Sequence, residues 1–303
     1  MPQQPSDLRP QTFSPPARFA LLLPAAGAGQ RFTAAHHDPA GKKPPAKIEV
    51  DLDGKPVFLR AIEAFRHRPD VVQTLLAVHP DHAESFRFKW GDKLAFSGVT
   101  VIPGGRRERW ETVSLMLEHL DAEVTHVAVH DAARPLPAGG EAFIDRVFAA
   151  ALKFPAVIPG YPVANTLKKA ATFDEDNAPA PDPLDAILPP EKPTPTTTIR
   201  RVVSTVDRRD VVEVQTPQVF EVSLLRRAYE QIASGRLDPA AVTDDAMLVE
   251  ALGEPVRVVE GDPFNVKITR PDDVKLAAAL LAYSKPSAAA TVARKRLFAD
   301  EEE

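Results

Sequence analysis

The sequence predicts an α/β fold organised around a doubly wound, mainly parallel sheet. Short apolar runs recur along the chain with helical patterns between them, and strands that alternate with helices pair in parallel through crossovers. The Val, Ile and Leu enrichment of those runs suits strands covered on both faces. A hydrophobic share of 44% beside 26% charged residues is that of an ordinary globular chain and excludes wholesale disorder or a fibre. At 303 residues the chain fits either two ordinary domains or one large α/β domain.

Taken in order, the body begins near residue 18, after a leader (1–17) rich in Pro, Gln and Ser. Strands are read at 19–24, 73–78, 98–102, 126–130 and 156–159, and helices at 57–67, 109–120, 141–153, 222–234, 244–252 and 271–283. The last helix opens on Pro271-Asp272-Asp273: proline is pre-set for the first helical position, and carboxylates offset the positive end of the helix dipole. Past residue 164 the pattern changes. Two β-like stretches, TLKKA (166–170) and RRVVSTV (200–206), flank a proline-rich segment, which lacks ladder donors and so does not belong inside a sheet. The reading is a β-arm over about 164–208, tipped by a proline-rich insertion (172–199), on a domain spanning 18–283 and followed by a small, polar tail (284–303). Of the 31 prolines, nine fall in residues 1–45 and seven in 177–200. The excess therefore marks segments, and residues 1–17 and 172–199 are expected to be mobile.

Several functions are excluded at this level. The absence of cysteine rules out disulfides, thiolate metal sites and thiol catalysis. A net charge of −5 argues against a protein-wide nucleic-acid surface, although it leaves room for a local basic site. No apolar run reaches the roughly 18 residues that span a bilayer. The stretch Arg18–Ala26 superficially resembles a secretory signal, but it follows a proline-rich leader with little positive charge and opens into a glycine loop, so it is read as a strand and its chemistry.

Four segments carry candidate chemistry. PAAGAGQRF (24–32) follows the first strand. Its Ala25, Ala26, Gly27, Ala28 and Gly29 either let backbone amides cradle phosphate oxygens or simply make a tight turn. Phe32 stands where a dinucleotide fingerprint needs its third glycine, and no Lys-Ser/Thr follows as a Walker loop requires. Arg31 and Lys47 supply cations nearby. HDAARP (130–135) ends another strand. Its Asp131 is either a hard oxygen donor for magnesium or a turn cap, and His130 reads as a structural residue. Arg134 pairs with a phosphate or with a neighbouring carboxylate. GGRRERWETV (104–113) offers amides for an anion or a base edge, or is a plain turn. Lys267, in FNVKITRPDD (264–273), read alone is a surface lysine. His36-His37-Asp38 reads as a surface loop and not a metal site.

The order of these segments resembles one family. PAAGAGQRF, a lysine before Gly54-Lys55-Pro56-Val57, GG…ERWETV, HDAARP, TVDR (205–208), QTPQVF (215–220), TDDA (243–246) and NVKITRPDD (265–273) are similar to the motifs of the 2-C-methyl-D-erythritol 4-phosphate cytidylyltransferases over about 18–283. The resemblance implies a Rossmann-like nucleotidyltransferase sheet with a protruding β-arm. It also implies a magnesium-dependent cytoplasmic enzyme joining CTP to methylerythritol phosphate, and a homodimer that exchanges the arm. It implies Arg31 and Lys47 as transition-state stabilisers, with Lys47 placed by its distance to Gly54-Lys55-Pro56 and Lys42 or Lys43 as alternatives. It puts Ala25 to Gly29 and Asp131 at the nucleotide, with magnesium on Asp131, and Gly104 or Gly105, Arg109 and Thr112 around cytosine and ribose. Arg134, Thr166, Arg208 and Lys267 fall at the acceptor substrate. Two other readings are a ribitol 5-phosphate cytidylyltransferase and an inactive nucleotide-binding scaffold. The family's aspartate before the arm threonine is Asn165 here, the GG…ER spacing carries one extra residue, and the insertion at 172–199 has no counterpart.

Overall fold

The computed structural model describes residues 16–27, 29–35, 46–135, 140–172 and 200–284. They fall into two compact units: the chain up to Gly160 together with the chain from Val214 onward, and Tyr161–Glu213. The first runs through β1 (Phe19–Ala25), α1 (Gln30–Ala34), a short hairpin of β2 (Asp51–Leu52) and β3 (Lys55–Pro56), α2 (Val57–Glu63), β4 (Val71–Val78), α3 (Ala83–Phe96), β5 (Val99–Pro103), α4 (Arg109–Glu118), β6 (His126–Val129), α5 (Gly140–Ala151) and β7 (Ala156–Pro162). The second unit holds β8 (Leu167–Thr172) and β9 (Arg200–Val206), an antiparallel pair. The chain returns through β10 (Val212–Val214) to β11 (Gln218–Glu221), α6 (Val222–Ala233), α7 (Asp245–Ala251), β12 (Arg257–Glu260) and α8 (Pro271–Ser284).

The central sheet of the first unit runs β7-β11-β6-β1-β4-β5. β1 lies parallel to β4 and to β6, with Leu22 opposite both Leu75 and Val129, and β4 lies parallel to β5. β11 is the antiparallel exception, wedged between β6 and β7, while β12 adds to β7 in parallel. The helix periodicity over 57–67 gives an α-helix only as far as Glu63, followed by turns. Seven elements, α1, β2, β3, α3, β10, β11 and β12, have no counterpart in the sequence reading. α3 carries Lys, Arg and aromatic side chains around its circumference with Gly91 inside it, so it shows no clean apolar stripe. β11 is four residues starting directly after Pro217, and β12 is also four residues; neither is long enough to show a period.

Successive β1 side chains serve opposite faces. Phe19, Leu21 and Leu23 pack with α2, α3 and α5 residues such as Phe58, Phe86 and Phe148. Ala20 and Leu22 pack with Val113 and Met116 of α4 and with Leu225 and Leu248 of α6 and α7. Burial on both faces explains the unbroken apolar run. A smaller cluster joins Phe32, Leu52, Val57, Ile268 and Ala277. It fixes α1, the hairpin and α8 to one another through residues that adjoin Arg31 and Lys267.

Candidate active site

β1 and β4 proceed to one side of the sheet while β6 starts on the other side of β1. That reversal opens a crevice at the carboxyl ends of β1 and β6, where open α/β sheets bind ligands. A cleft of about 740 Å³, counting its mouth, occupies this place. Ala25, Ala26, Gly27, Lys47, Gly105, Arg109, Thr112, Asp131 and Lys267 all line it. Nine of the residues picked from sequence thus share one surface.

Each wall follows from local backbone chemistry. Gly29 caps α1 with φ +63°, a left-handed conformation that glycine adopts without steric cost, and its carbonyl accepts from the amides of Phe32 (2.9 Å) and Thr33 (3.0 Å). Phe32, buried at the small cluster, holds the loop down. Opposite, a Cβ on Gly104 would lie 2.7 Å from Ala26 Cβ, and one on Gly105 would lie 2.5 Å from Glu111 Cβ. Only glycines let this loop close on α4. The Gly104 amide donates to Val78 O (2.8 Å), that of Gly105 to Thr112 Oγ1 (3.0 Å), and those of Arg106 and Arg107 to Glu111 Oε2 (both 3.1 Å). The amides of residues 104–107, which the sequence reading offered to an anion or a base edge, are therefore engaged within the protein. Thr112 is buried as the acceptor for Gly105.

The floor is an ionic network. Asp131 Oδ2 lies 2.8 Å from Lys267 Nζ and 3.2 Å from Arg134 Nε, and its Oδ1 lies 4.0 Å from Arg109 Nε. Burial disfavours the charged carboxylate, but the Lys267, Arg109 and Arg134 cations outweigh it and hold its pKa well below the usual carboxylate range. Arg134 also donates from Nη1 to Asn265 O (2.7 Å), and the amide of Ile268 donates to Ala133 O (2.9 Å). The segment that carries Lys267 is thereby pinned to the segment that carries Asp131. Arg109 reaches Asp245 Oδ2 at 2.6 Å. Burial lowers its pKa, but Asp245 and Asp131 raise it further than that, so it stays charged.

His130 is fully buried, with Nε2 3.0 Å from Arg134 O and Nδ1 3.1 Å from Thr216 Oγ1. Thr216 Oγ1 also accepts from the amide of Asp131 (3.0 Å), so its hydroxyl proton points to Nδ1 and the imidazole proton sits on Nε2, donating to Arg134 O. Burial is the main cause that lowers the His130 pKa to about 4, which fits this neutral tautomer and the structural reading.

The other sequence candidates are distributed as follows. Of the two partners open to Arg134, a phosphate or a neighbouring carboxylate, the structure shows the second: its buried guanidinium donates to Asp131 Oδ2 and to Asn265 O. Gly104 and Gly29 do not line this cleft; Gly104 lines a groove with Gly105 and Trp110, and Gly29 lines one with Lys47 and Ile48. Arg31 lies on α1. Thr166, exposed, and Arg208 belong to the second unit, where Arg208 Nη1 donates to Val163 O (3.0 Å) and to Ala164 O. Ala28, Lys42, Lys43, His36-His37-Asp38, residues 1–15, the insertion from 173 to 199 and the tail from 285 lie outside the described residues. Sequence reasoning missed Asp245 and Thr216 as site residues. Both sit in stretches noted as motifs, TDDA and QTPQVF, and a carboxylate or hydroxyl ahead of an apolar run was the available signal.

Known proteins match this chain over most of its length. The sequence model of the family described as IspD, 2-C-methyl-D-erythritol 4-phosphate cytidylyltransferase, matches residues 19–175 and 195–283. The enzyme of that name from Rhodopirellula baltica is 33% identical over 276 residues, spanning 88% of this chain and 95% of that protein. The one from Frankia casuarinae is 36% identical over 271 residues, spanning 89% and 84%. Among solved structures, the 2-C-methyl-D-erythritol 4-phosphate cytidylyltransferase of Thermus thermophilus superposes with a TM-score of 0.59 at 28% identity, covering 86% of this chain and 96% of that one. The stretch the family model leaves unmatched falls inside the proline-rich insertion. With matches running through both halves of the chain on either side of it, the chain belongs to the 2-C-methyl-D-erythritol 4-phosphate cytidylyltransferase family.

Proposed function

We propose that this protein transfers the cytidylyl group of CTP to 2-C-methyl-D-erythritol 4-phosphate, giving 4-diphosphocytidyl-2-C-methyl-D-erythritol and pyrophosphate. The observation that supports this reading is the ionised Asp131 set among Lys267, Arg134 and Arg109 at the crevice between β1 and β6. An oxygen of the acceptor phosphate attacks the α-phosphorus of CTP. As that P–O bond forms, the bond from the α-phosphorus to the bridging oxygen of the β-phosphate breaks, and pyrophosphate leaves with the electron pair. The acceptor is already an anion, so no protein base or nucleophile is needed, and a neutral His130 is consistent with that. The protein's task is to hold two polyanions in line and offset their charge.

Ala25 to Gly29 embrace the triphosphate, and Arg31 and Lys47 stabilise the transferring group. Arg109 and the carbonyls of Gly104 and Gly105 face the cytidine, whose exocyclic amine is a hydrogen-bond donor in need of acceptors. Lys267 grips the acceptor phosphate, and Thr166 and Arg208 are assigned to the same substrate class, serving the neighbouring subunit in a homodimer. A magnesium ion suits Asp131: the carboxylate is ionised, Oδ2 is held by Lys267 and Arg134, and Oδ1 lies 4.0 Å from Arg109 Nε. Magnesium takes one or two carboxylates plus phosphate oxygens, and bound there it would neutralise the triphosphate. Among the described residues no helix is long and apolar enough to cross a membrane. Both substrates are phosphate anions that do not cross a bilayer unaided, so the reaction takes place in the compartment that holds CTP, for which the cytoplasm is the reading proposed.

The test is pyrophosphate release from CTP with methylerythritol phosphate and with ribitol 5-phosphate in parallel. Preferential turnover of the ribitol ester overturns the substrate assignment, and no release with either overturns the enzyme. Lys47→Ala is expected to lower kcat by about a hundredfold or more; unchanged turnover removes Lys47 from the mechanism. Light scattering on the whole protein tests the dimer.

A further inference from the structure

Arg109 is a long side chain at the first position of α4, with nothing in its own helix to fix where its guanidinium points. Across the cleft wall, Asp245 is 1% exposed. Its Oδ2 lies 2.6 Å from Arg109 Nη1, and its Oδ1 accepts from the Tyr229 hydroxyl at 2.6 Å. The carboxylate itself is held rigidly. Asp244 caps α7 by accepting from the amide of Met247 (3.0 Å), and Gln218 of β11 donates to Asp244 Oδ2 (2.8 Å) and accepts from the amide of Ala246 (3.3 Å). The segment 244–246 is thus bolted to the central sheet. Tyr229 comes from α6, where its ring packs in the core face shared with α7.

We propose that Tyr229 and Asp245 are positioning residues for CTP: the hydroxyl fixes the carboxylate, and the carboxylate fixes the Arg109 guanidinium at the nucleotide wall of the cleft. The inference rests on the functional reading above. A flexible arginine loses rotamer freedom when it binds a ligand, and a guanidinium already held in place binds with that loss removed. Charge makes the idea decidable. Asp131, Asp245, Arg109, Arg134 and Lys267 together carry one net positive charge. Neutralising Asp245 raises that to two, which by long-range attraction alone would tighten CTP binding. Loss of positioning would weaken it. Tyr229→Phe leaves the charge unchanged and isolates positioning.

The experiment measures the CTP dissociation constant by calorimetry, with thermal melting alongside, for the full-length protein and for Asp245→Asn and Tyr229→Phe. Asparagine keeps the shape and an acceptor for Tyr229. The expected result is CTP binding weaker by about tenfold in Asp245→Asn and about threefold in Tyr229→Phe. CTP affinity that rises or stays level in folded Asp245→Asn overturns the proposal, as does a Tyr229→Phe protein that binds CTP like the parent. If the parent binds CTP yet turns over neither polyol phosphate, the functional reading fails while the ratio of CTP affinities still decides the positioning role.

Discussion

The floor of the cleft and the arm use the same residue types to different ends. In the cleft, Asp131 has only 11% of its side chain exposed and meets cations from three separate parts of the chain: α4, its own loop and the segment before α8. In the arm unit, Asp207 is 59% exposed and its ionic partner is Arg209, two residues away. A buried charge stripped of its partners has nowhere to go, whereas an exposed pair merely exchanges its partner for water. A buried carboxylate that gathers cations from distant segments therefore marks where the fold has committed structure to chemistry, and the exposed local pair of the arm does not.

Asp131→Asn is the sharpest way to break that contrast. It leaves three cations around a neutral amide and is expected to reduce kcat by about a thousandfold and folding stability by about 3–5 kcal/mol, read from steady-state kinetics and urea unfolding. Near-normal stability would show that the network serves the ligand alone. Gly105→Ala comes next. With its new Cβ 2.5 Å from Glu111 Cβ, the loop must lift off α4, at about 1–3 kcal/mol together with a weaker CTP affinity. A melting temperature like the parent's would mean the loop yields freely.

A third test uses pH. Folding depresses the His130 pKa to about 4 from an unfolded value of roughly 6.5, because the buried ring must stay neutral. Its contribution is complete above pH 6.5 and declines as the pH falls toward 4, by about 3 kcal/mol in all. Unfolding free energy measured over that window should fall less steeply in His130→Asn than in the parent, and equal slopes would assign the titration to another group. The smallest effect belongs to the arm: Arg209→Ala should leave the melting temperature unchanged within error, and a clear drop would show the exposed pair to be worth more than its geometry implies.

Much of this architecture was legible in the sequence because the parallel strands are buried on both faces, and a strand such as FALLLPA has no alternation to confuse it with a surface strand. The cleft residues were legible for a related reason. Ligand-binding loops in such sheets follow strand ends, so PAAGAG after β1, GG after β5 and HDAARP after β6 declared themselves by position. What stayed hidden depended on distant pairing. No local pattern says that Thr216 meets His130, or that Asp245 meets Arg109. Nor does one say that Arg134 turns inward to Asp131, where its residue type fits a phosphate equally well. α3 escaped because its exposed Phe88 and Phe96 blur the boundary between core and solvent faces.

The antiparallel seam of β6 and β11 has a consequence for how this chain folds and changes. Val129 pairs with Gln218, and Thr216 reaches the Asp131 amide across 85 residues of sequence. The pocket floor is closed only when that long excursion has come full circle, so the seam is made of contacts far apart in sequence. The entropy of closing such a loop grows only logarithmically with its length, about 0.6 kcal/mol per doubling. Stretching the excursion with a proline-rich insertion therefore costs the closed state almost nothing, so long as Gln218 still finds Val129. The same seam that joins the two halves of the pocket thus leaves the sequence between them unusually free to lengthen.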